Sequence, residues 1–209
     1  FQRYFKKHGR YTAGVETQYE PSQIIGNGTY QNLAQGLTVG KRFHSALVVR
    51  LSDARSMQLG HVLKADGRWR VIVFAPSGDN GAPGGPVAQV CAALGAPRGL
   101  IRRVTAQGTD IDNVIDVRAV FQPPHREMNL QTLPELLLPT KGRYGLIDYE
   151  KAFCPDPKGS DIFDQRAIDR DAGALIVVRP DQYVAHVLPL DAVPELERFF
   201  AAFMLEREE

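Results

Sequence analysis

Two cysteines, Cys91 and Cys154, are the chain's candidate nucleophilic thiols. A thiol becomes reactive where a strand hands over to a helix, because the helix N-terminus stabilises the thiolate. The junction where this would happen reads Phe74-Ala75-Pro76-Ser77-Gly78-Asp79-Asn80 and holds no cysteine. Cys91 comes later, at helical spacing with Val87, Val90 and Leu94, which predicts a small buried core residue. Cys154, between Phe153 and Pro155, reads as an ordinary loop or core thiol. Neither belongs to a CxxC pair. Two cysteines argue against a disulfide scaffold and fit a reducing compartment, the cytoplasm.

Other motifs imitate chemistry without completing it. Gly26-Asn27-Gly28-Thr29-Tyr30-Gln31 begins as a dinucleotide fingerprint, but Gln31 stands where the third glycine belongs and no apolar strand precedes it. Gly36-Leu37-Thr38-Val39-Gly40-Lys41-Arg42 is one residue short of a phosphate-binding loop, with Arg42 in place of Ser or Thr. His8, His44, His61, His125 and His186 show no metal-ligand spacing, and His186 falls in a strand, where a structural role is expected. Ser77 precedes a helix without the glycines of a nucleophile elbow. Amides near Gly84-Gly85-Pro86 could hold an anion at a helix start, though a solvated turn is the expectation. The run containing Arg143, Asp148, Glu150, Lys151, Asp161, Asp164, Arg166, Asp169 and Arg170 mixes signs and predicts a surface ion-pair lattice or an interface rim. No residue is assigned a catalytic, cofactor-binding or metal-binding role.

The elements that would position these residues follow from periodicity. Ala46–Leu51 is a strand candidate; Leu59, Val62 and Leu63 suit a short helix with Asp53 as a possible cap upstream. Trp69–Ala75 is a continuous apolar run of buried-strand type. Pro86 suits the first position of a helix that ends near Gly95. Val114–Phe121 is a strand closed by Pro123-Pro124. Ala174–Val178 and Tyr183–Leu188 flank Arg179-Pro180-Asp181-Gln182 as a hairpin. A helix over about Val193–Glu206 carries Leu196, Phe199, Phe200 and Phe203 as its stripe. This order, a βαβ unit followed by a ββα unit, predicts an α/β fold: a thioredoxin-like mixed sheet flanked by helices. Residues 44–209 would form that domain, with an insertion at about 122–171. Residues 1–43 read as an extended arm leaning on another domain, with Phe1, Tyr4 and Phe5 on one helical face.

Composition closes off several function classes. The chain has 209 residues, 25 Lys+Arg against 24 Asp+Glu, and a net charge of +1, which argues against nucleic acid held by overall charge. Hydrophobic content of 44% excludes disorder, and no apolar stretch is long enough for a membrane span. The start at Phe1, without a signal-peptide core, suggests the middle of a longer protein.

Five phrases together resemble one family: His8-Gly9-Arg10-Tyr11-Thr12-Ala13-Gly14, Tyr19-Glu20-Pro21-Ser22, Gly67-Arg68-Trp69-Arg70-Val71-Ile72-Val73-Phe74, Lys141-Gly142-Arg143-Tyr144-Gly145-Leu146-Ile147-Asp148-Tyr149-Glu150, and Val178-Arg179-Pro180-Asp181-Gln182-Tyr183-Val184-Ala185-His186-Val187. They are similar to the C-terminal part of FAD-dependent aromatic hydroxylases of the phenol hydroxylase type. The resemblance implies a thioredoxin-like domain without redox cysteines that helps form a homodimer. It implies that residues 1–43 are the tail of the flavoprotein domain and its linker. FAD and NAD(P)H would be bound upstream, and the whole enzyme would hydroxylate a phenolic ring such as phenol or 3-hydroxybenzoate with O₂. This segment alone would be non-catalytic, with its own flavoprotein domain as partner. Tyr144, Tyr149, Phe153 and Phe163 are then interface candidates, with Arg143 and Arg166 as anchors or rim. The alternatives are a peroxiredoxin-like thiol enzyme using Cys91 and a free-standing interaction module.

Overall fold

The structure is a computed structural model in which Arg3, Gly9, Gly14, residues 16–159 and residues 161–206 are described. Phe1, Tyr4, Phe5 and His8 lie outside the described residues. The centre is a sheet of seven strands: β1 (Leu47–Arg50), β2 (Ser56–Gln58), β3 (Trp69–Phe74), β4 (Ile115–Val120), β7 (Ala152–Pro155), β8 (Ala174–Val178) and β9 (Val184–Leu188). Their spatial order is β2-β1-β7-β4-β3-β8-β9. A separate two-stranded hairpin is made by β5 (Thr140–Lys141) and β6 (Leu146–Ile147). The helices are α1 (Pro86–Gly95), α2 (Leu100–Val104), α3 (Ile162–Gln165) and α4 (Val193–Ala201).

β3 and β4 run parallel, joined by the crossover that holds α1 and α2. β8 returns antiparallel beside β3, and β9 closes a hairpin with it before α4. The four strands β4-β3-β8-β9 thus carry the βαβ and ββα units expected of a thioredoxin-like plan. Their residues are buried throughout except Trp69, so both faces of these strands are covered, and the polar side chains they carry, Arg70, Asp116, Arg118 and His186, are buried with them.

Alternation along β3 assigns the covers of the two faces. Trp69 meets the rings of Phe199, Phe200 and Phe203 at 6.2, 5.4 and 4.9 Å, so α4 covers the face of residues 69, 71 and 73. Phe74 meets Phe163 of α3 at 5.5 Å on the opposite face, with Ile72 and Arg70.

Several expectations need correction. Residues 25–43 of the arm pack on this sheet: Ile25, Leu33, Ala34, Leu37, Val39 and Phe43 are buried in its core. Its backbone lines the outer edge of β9, with Gly26 N donating to Ala185 O at 2.7 Å and Gly40 N to Val184 O at 2.8 Å. That covers an edge that would otherwise present unpaired amides. The stretch 122–171, expected as an insertion, contributes β7 to the sheet between β1 and β4, in register Val49↔Cys154 and Ala119↔Ala152. The four residues of β7, which follow Lys151 and end on Pro155, show no local period, so only distant pairing places them. Periodicity marks none of β2, β5, β6, β7, α2 and α3, and α4 stops at Ala201. Asp53 receives the Arg50 guanidinium at 2.6 Å and caps no helix.

Candidate functional site

The strand–helix junction is the place where a redox relative keeps its thiol. Here Asp79, buried, occupies it. Its Oδ1 accepts from Gly81 N at 2.8 Å and its Oδ2 from Val87 N at 2.7 Å. The helix start is therefore satisfied by the chain's own carboxylate, which closes the anion reading of Gly84-Gly85-Pro86. Cys91 is buried on α1, and burial, helped by the Asp79 charge, pushes its thiol up to about 12. Burial does the same to Cys154 within β7. A thiolate at neutral pH is disfavoured at both positions, which removes the chemical basis of a thiol enzyme.

His186 is packed, not ligating. Its ring stands edge-on to Phe199 at 5.3 Å, its Nδ1 lies 3.1 Å from Val187 O, and burial lowers its pKa. Gly26 rests directly on that ring: a Cβ there would lie 2.7 Å from the His186 Cδ2 and Cγ atoms. The Gly26–Gln31 stretch is thus a turn pressed on the sheet edge, with Asn27 Oδ1 accepting from Thr29 N at 3.1 Å. Gly26, the first glycine of the incomplete fingerprint, is thus closed against the His186 ring. Among the described residues no group of three His, Cys, Asp or Glu side chains could hold a metal.

The mixed-sign run divides in two. Arg170 pairs with Asp161 at 2.6 Å and Asp164 at 2.9 Å, the surface lattice that was expected. Lys151 is different: it is fully buried. Its Nζ lies 2.5 Å from both Asp112 Oδ2 and Asp116 Oδ1. Arg118 and Arg70 reach Asp116 Oδ2 at 2.9 and 3.2 Å, and Arg70 also grips Asp66 through two bonds of 2.7 Å. The parallel register Arg70↔Asp116 sets these two side by side on one face of the sheet. Burial alone would raise the Asp112 carboxyl, but Lys151 and Lys141 outweigh it and hold it at about 2. Asp116 is likewise held below the ordinary range by Arg118, Lys151 and Arg70 against its own burial. Every charge here faces an opposite one, so the cluster is structural rather than an acid–base pair.

This cluster also roots the β5–β6 hairpin. Lys141 on β5 donates to Asp112 Oδ2 at 2.8 Å and Asp148 Oδ2 at 3.3 Å, and Gly142 N donates to Asp110 Oδ1 at 2.7 Å. The hairpin and the residues after it leave Tyr144, Leu146, Ile147 and Tyr149 exposed, with the Arg143 guanidinium over the Tyr144 ring at 4.6 Å. Of the expected interface residues, Tyr144, Tyr149 and Arg143 are thus accessible. Phe153 and Phe163 are fully buried core residues, and Arg166 is half-buried, donating to Ser45 O. Beside the hairpin root lies a cleft of about 710 Å³ between α1 and residues 132–140.

A family model described as phenol hydroxylase, C-terminal dimerisation domain, matches residues 17–208. The 3-hydroxybenzoate 4-monooxygenase of Comamonas testosteroni is 54% identical over 207 residues, covering 98% of this chain and 32% of its own length. The FAD-dependent monooxygenase terD of Aspergillus terreus is 33% identical over 214 residues, covering 99% of this chain and 34% of its own. The chain spans about a third of the length of these curated relatives. Among solved structures, a putative protein disulfide isomerase from Bacteroides thetaiotaomicron aligns over 80% of this chain and 91% of its own, at 13% identity and a TM-score of 0.49. Aklavinone-11 hydroxylase in complex with FAD and aklavinone aligns over 90% of this chain and 26% of its own, at 15% identity and a TM-score of 0.45.

Proposed function

The chain belongs to the phenol hydroxylase C-terminal dimerisation domain family, and on that premise we propose that it holds a flavin-dependent aromatic hydroxylase together as a homodimer. The observation that carries this reading is the 54% identity to 3-hydroxybenzoate 4-monooxygenase across nearly the whole chain. The full enzyme adds one oxygen atom from O₂ to a phenolic ring, of which 3-hydroxybenzoate is the favoured example. FAD and NAD(P)H bind to upstream sequence and supply the redox chemistry there. Residues 1–43 carry the tail of the flavoprotein domain and the linker leaving it, with residues 25–43 of that linker packed on this domain's sheet, and the flavoprotein domain is the segment's partner within the chain. The enzyme works in the cytoplasm, in keeping with two free buried cysteines.

This segment's own residues do no chemistry in that scheme. Asp79 locks the helix start that would otherwise activate a nucleophile or bind an anion. The Lys151 cluster holds the hairpin root rigid. Light scattering on the full-length enzyme, with and without residues 44–209, tests the reading. A dimer that becomes a folded, flavin-containing monomer on truncation is expected; a truncated protein that stays a dimer of unchanged affinity overturns it.

A further inference from the structure

Six large apolar side chains are exposed among the described residues, and four of them, Tyr144, Leu146, Ile147 and Tyr149, fall within 144–149. Tyr144 and Leu146 are 74% and 70% exposed. The pairing Thr140↔Ile147 and Lys141↔Leu146 turns Leu146 and Ile147 to opposite faces of the hairpin. Both faces are therefore apolar and uncovered. A two-stranded hairpin is marginal in water on its own and gains stability from something packed on it. This one is nevertheless held firmly at its base by Lys141, Gly142 and the Asp148 N–H, which donates to Pro139 O at 2.9 Å. It is a stiff projection with a greasy surface.

The cleft of about 710 Å³ supplies a matching concavity, large enough to take several side chains. Ala88 and Ala92 of α1 form one wall, and Ile111, Leu133 and Leu136 form the other. Pro139 and Thr140 line its end, so the cleft runs directly into the first strand of the hairpin. Projection and concavity are thus one continuous patch. A two-fold dimer needs such a self-complementary patch, where the same surface meets itself with roles exchanged. Charge agrees: Arg143 sits at the hairpin tip and Glu135, exposed, on the rim of the cleft. At 150–250 Å² for a whole aromatic side chain, the exposed parts of the four residues sum to on the order of 400 Å². That is about half of the ~800 Å² per partner that a stable interface buries. The cleft walls and rim can supply the remainder.

We propose that the 140–149 hairpin is a dimerisation arm that lies in the α1 cleft of a second copy of the chain, reciprocally about a two-fold axis. The proposal deepens the dimerisation reading above and rests on it. Two measurements on the full-length enzyme test it. Sedimentation velocity compares the wild type with Leu146→Glu/Ile147→Glu, whose flavin content and melting temperature report that it folds. The dimer dissociation constant should rise at least a hundred-fold. Separately, a photo-crosslinking benzoylphenylalanine replaces Tyr144, and the covalent product is mapped by mass spectrometry. Crosslinks to residues 86–96 or 132–137 of the other subunit are expected. Wild-type affinity in the double-Glu variant overturns the assignment, as do crosslinks to the flavoprotein domain. If deleting residues 44–209 yields monomers while the double-Glu variant stays dimeric, the hairpin assignment alone fails. If the deletion leaves a dimer, the dimerisation reading itself fails.

Discussion

Replacing Lys151 with Met should destabilise the chain by about 3 kcal/mol, the low end of the cost of breaking a buried ion pair. The low end applies because both stranded carboxylates keep a cation: Asp112 retains Lys141 at 2.8 Å and Asp116 retains Arg118 at 2.9 Å. A second route to the magnitude uses Asp112 alone. Its carboxyl stands at about 2 in the folded chain against an ordinary 3.8; that gap is worth about 2.5 kcal/mol at neutral pH, and because Lys141 shares in it, Lys151 accounts for only part of that figure through Asp112. The sign follows from a depressed folded value. The folded chain binds fewer protons than the unfolded one below about pH 4, so stability is complete above that pH and is lost as pH falls through about 2. Removing Lys151 lets Asp112 and Asp116 protonate earlier, which moves the acid limb to higher pH. Urea unfolding followed by circular dichroism at neutral pH and along an acid series reads both effects. With a slope of about 2–3 kcal/mol per molar urea, the midpoint should drop by about 1 M. The double variant Lys151→Met/Asp112→Asn should lose less than the two singles added together, by about 1 kcal/mol or more. A loss under about 1 kcal/mol in Lys151→Met, or an acid limb superimposed on the wild type, would refute the claim that these charges act as one buried unit.

Three further outcomes are expected. Native Cys91 and Cys154 should resist a thiol reagent at pH 8 and react only on unfolding, since burial holds both near 12; Cys91→Ala should cost about 1 kcal/mol of packing. Gly26→Ala should destabilise by about 1–3 kcal/mol, because the added methyl meets the buried His186 ring at 2.7 Å; a pairing with His186→Ala that restores stability in urea melts identifies that contact as the cause. Asp79→Ala should cost about 1–2 kcal/mol by freeing the Gly81 and Val87 amides, and amide exchange at those two positions should accelerate, whereas unchanged exchange would show that another group caps α1.

The sequence by itself determined the elements whose stabilisation is local or strongly periodic. Trp69–Phe74 is apolar enough to be recognised as a buried strand, Ile115–Val120 is recognisable as a strand, and Pro86 marks the start of α1 because its missing N–H costs nothing there. The inertness of Cys91 follows from its helical spacing with Val87, Val90 and Leu94, all of which are buried. The hairpin around Arg179–Gln182 was legible from its turn residues. Tertiary structure alone decided the rest. Lys151 is buried only because Asp112 and Asp116, 39 and 35 residues away, arrive beside it; a lysine in a charged run otherwise reads as surface. β7 is a central strand for the same reason: its four residues carry no period, and its place comes from β1 and β4 across long stretches of chain. Tyr144 and Phe153 had equal standing as interface candidates in the sequence. One is exposed and the other buried, because the pairings that fill the core and leave the hairpin bare are non-local, and periodicity along the chain does not encode them.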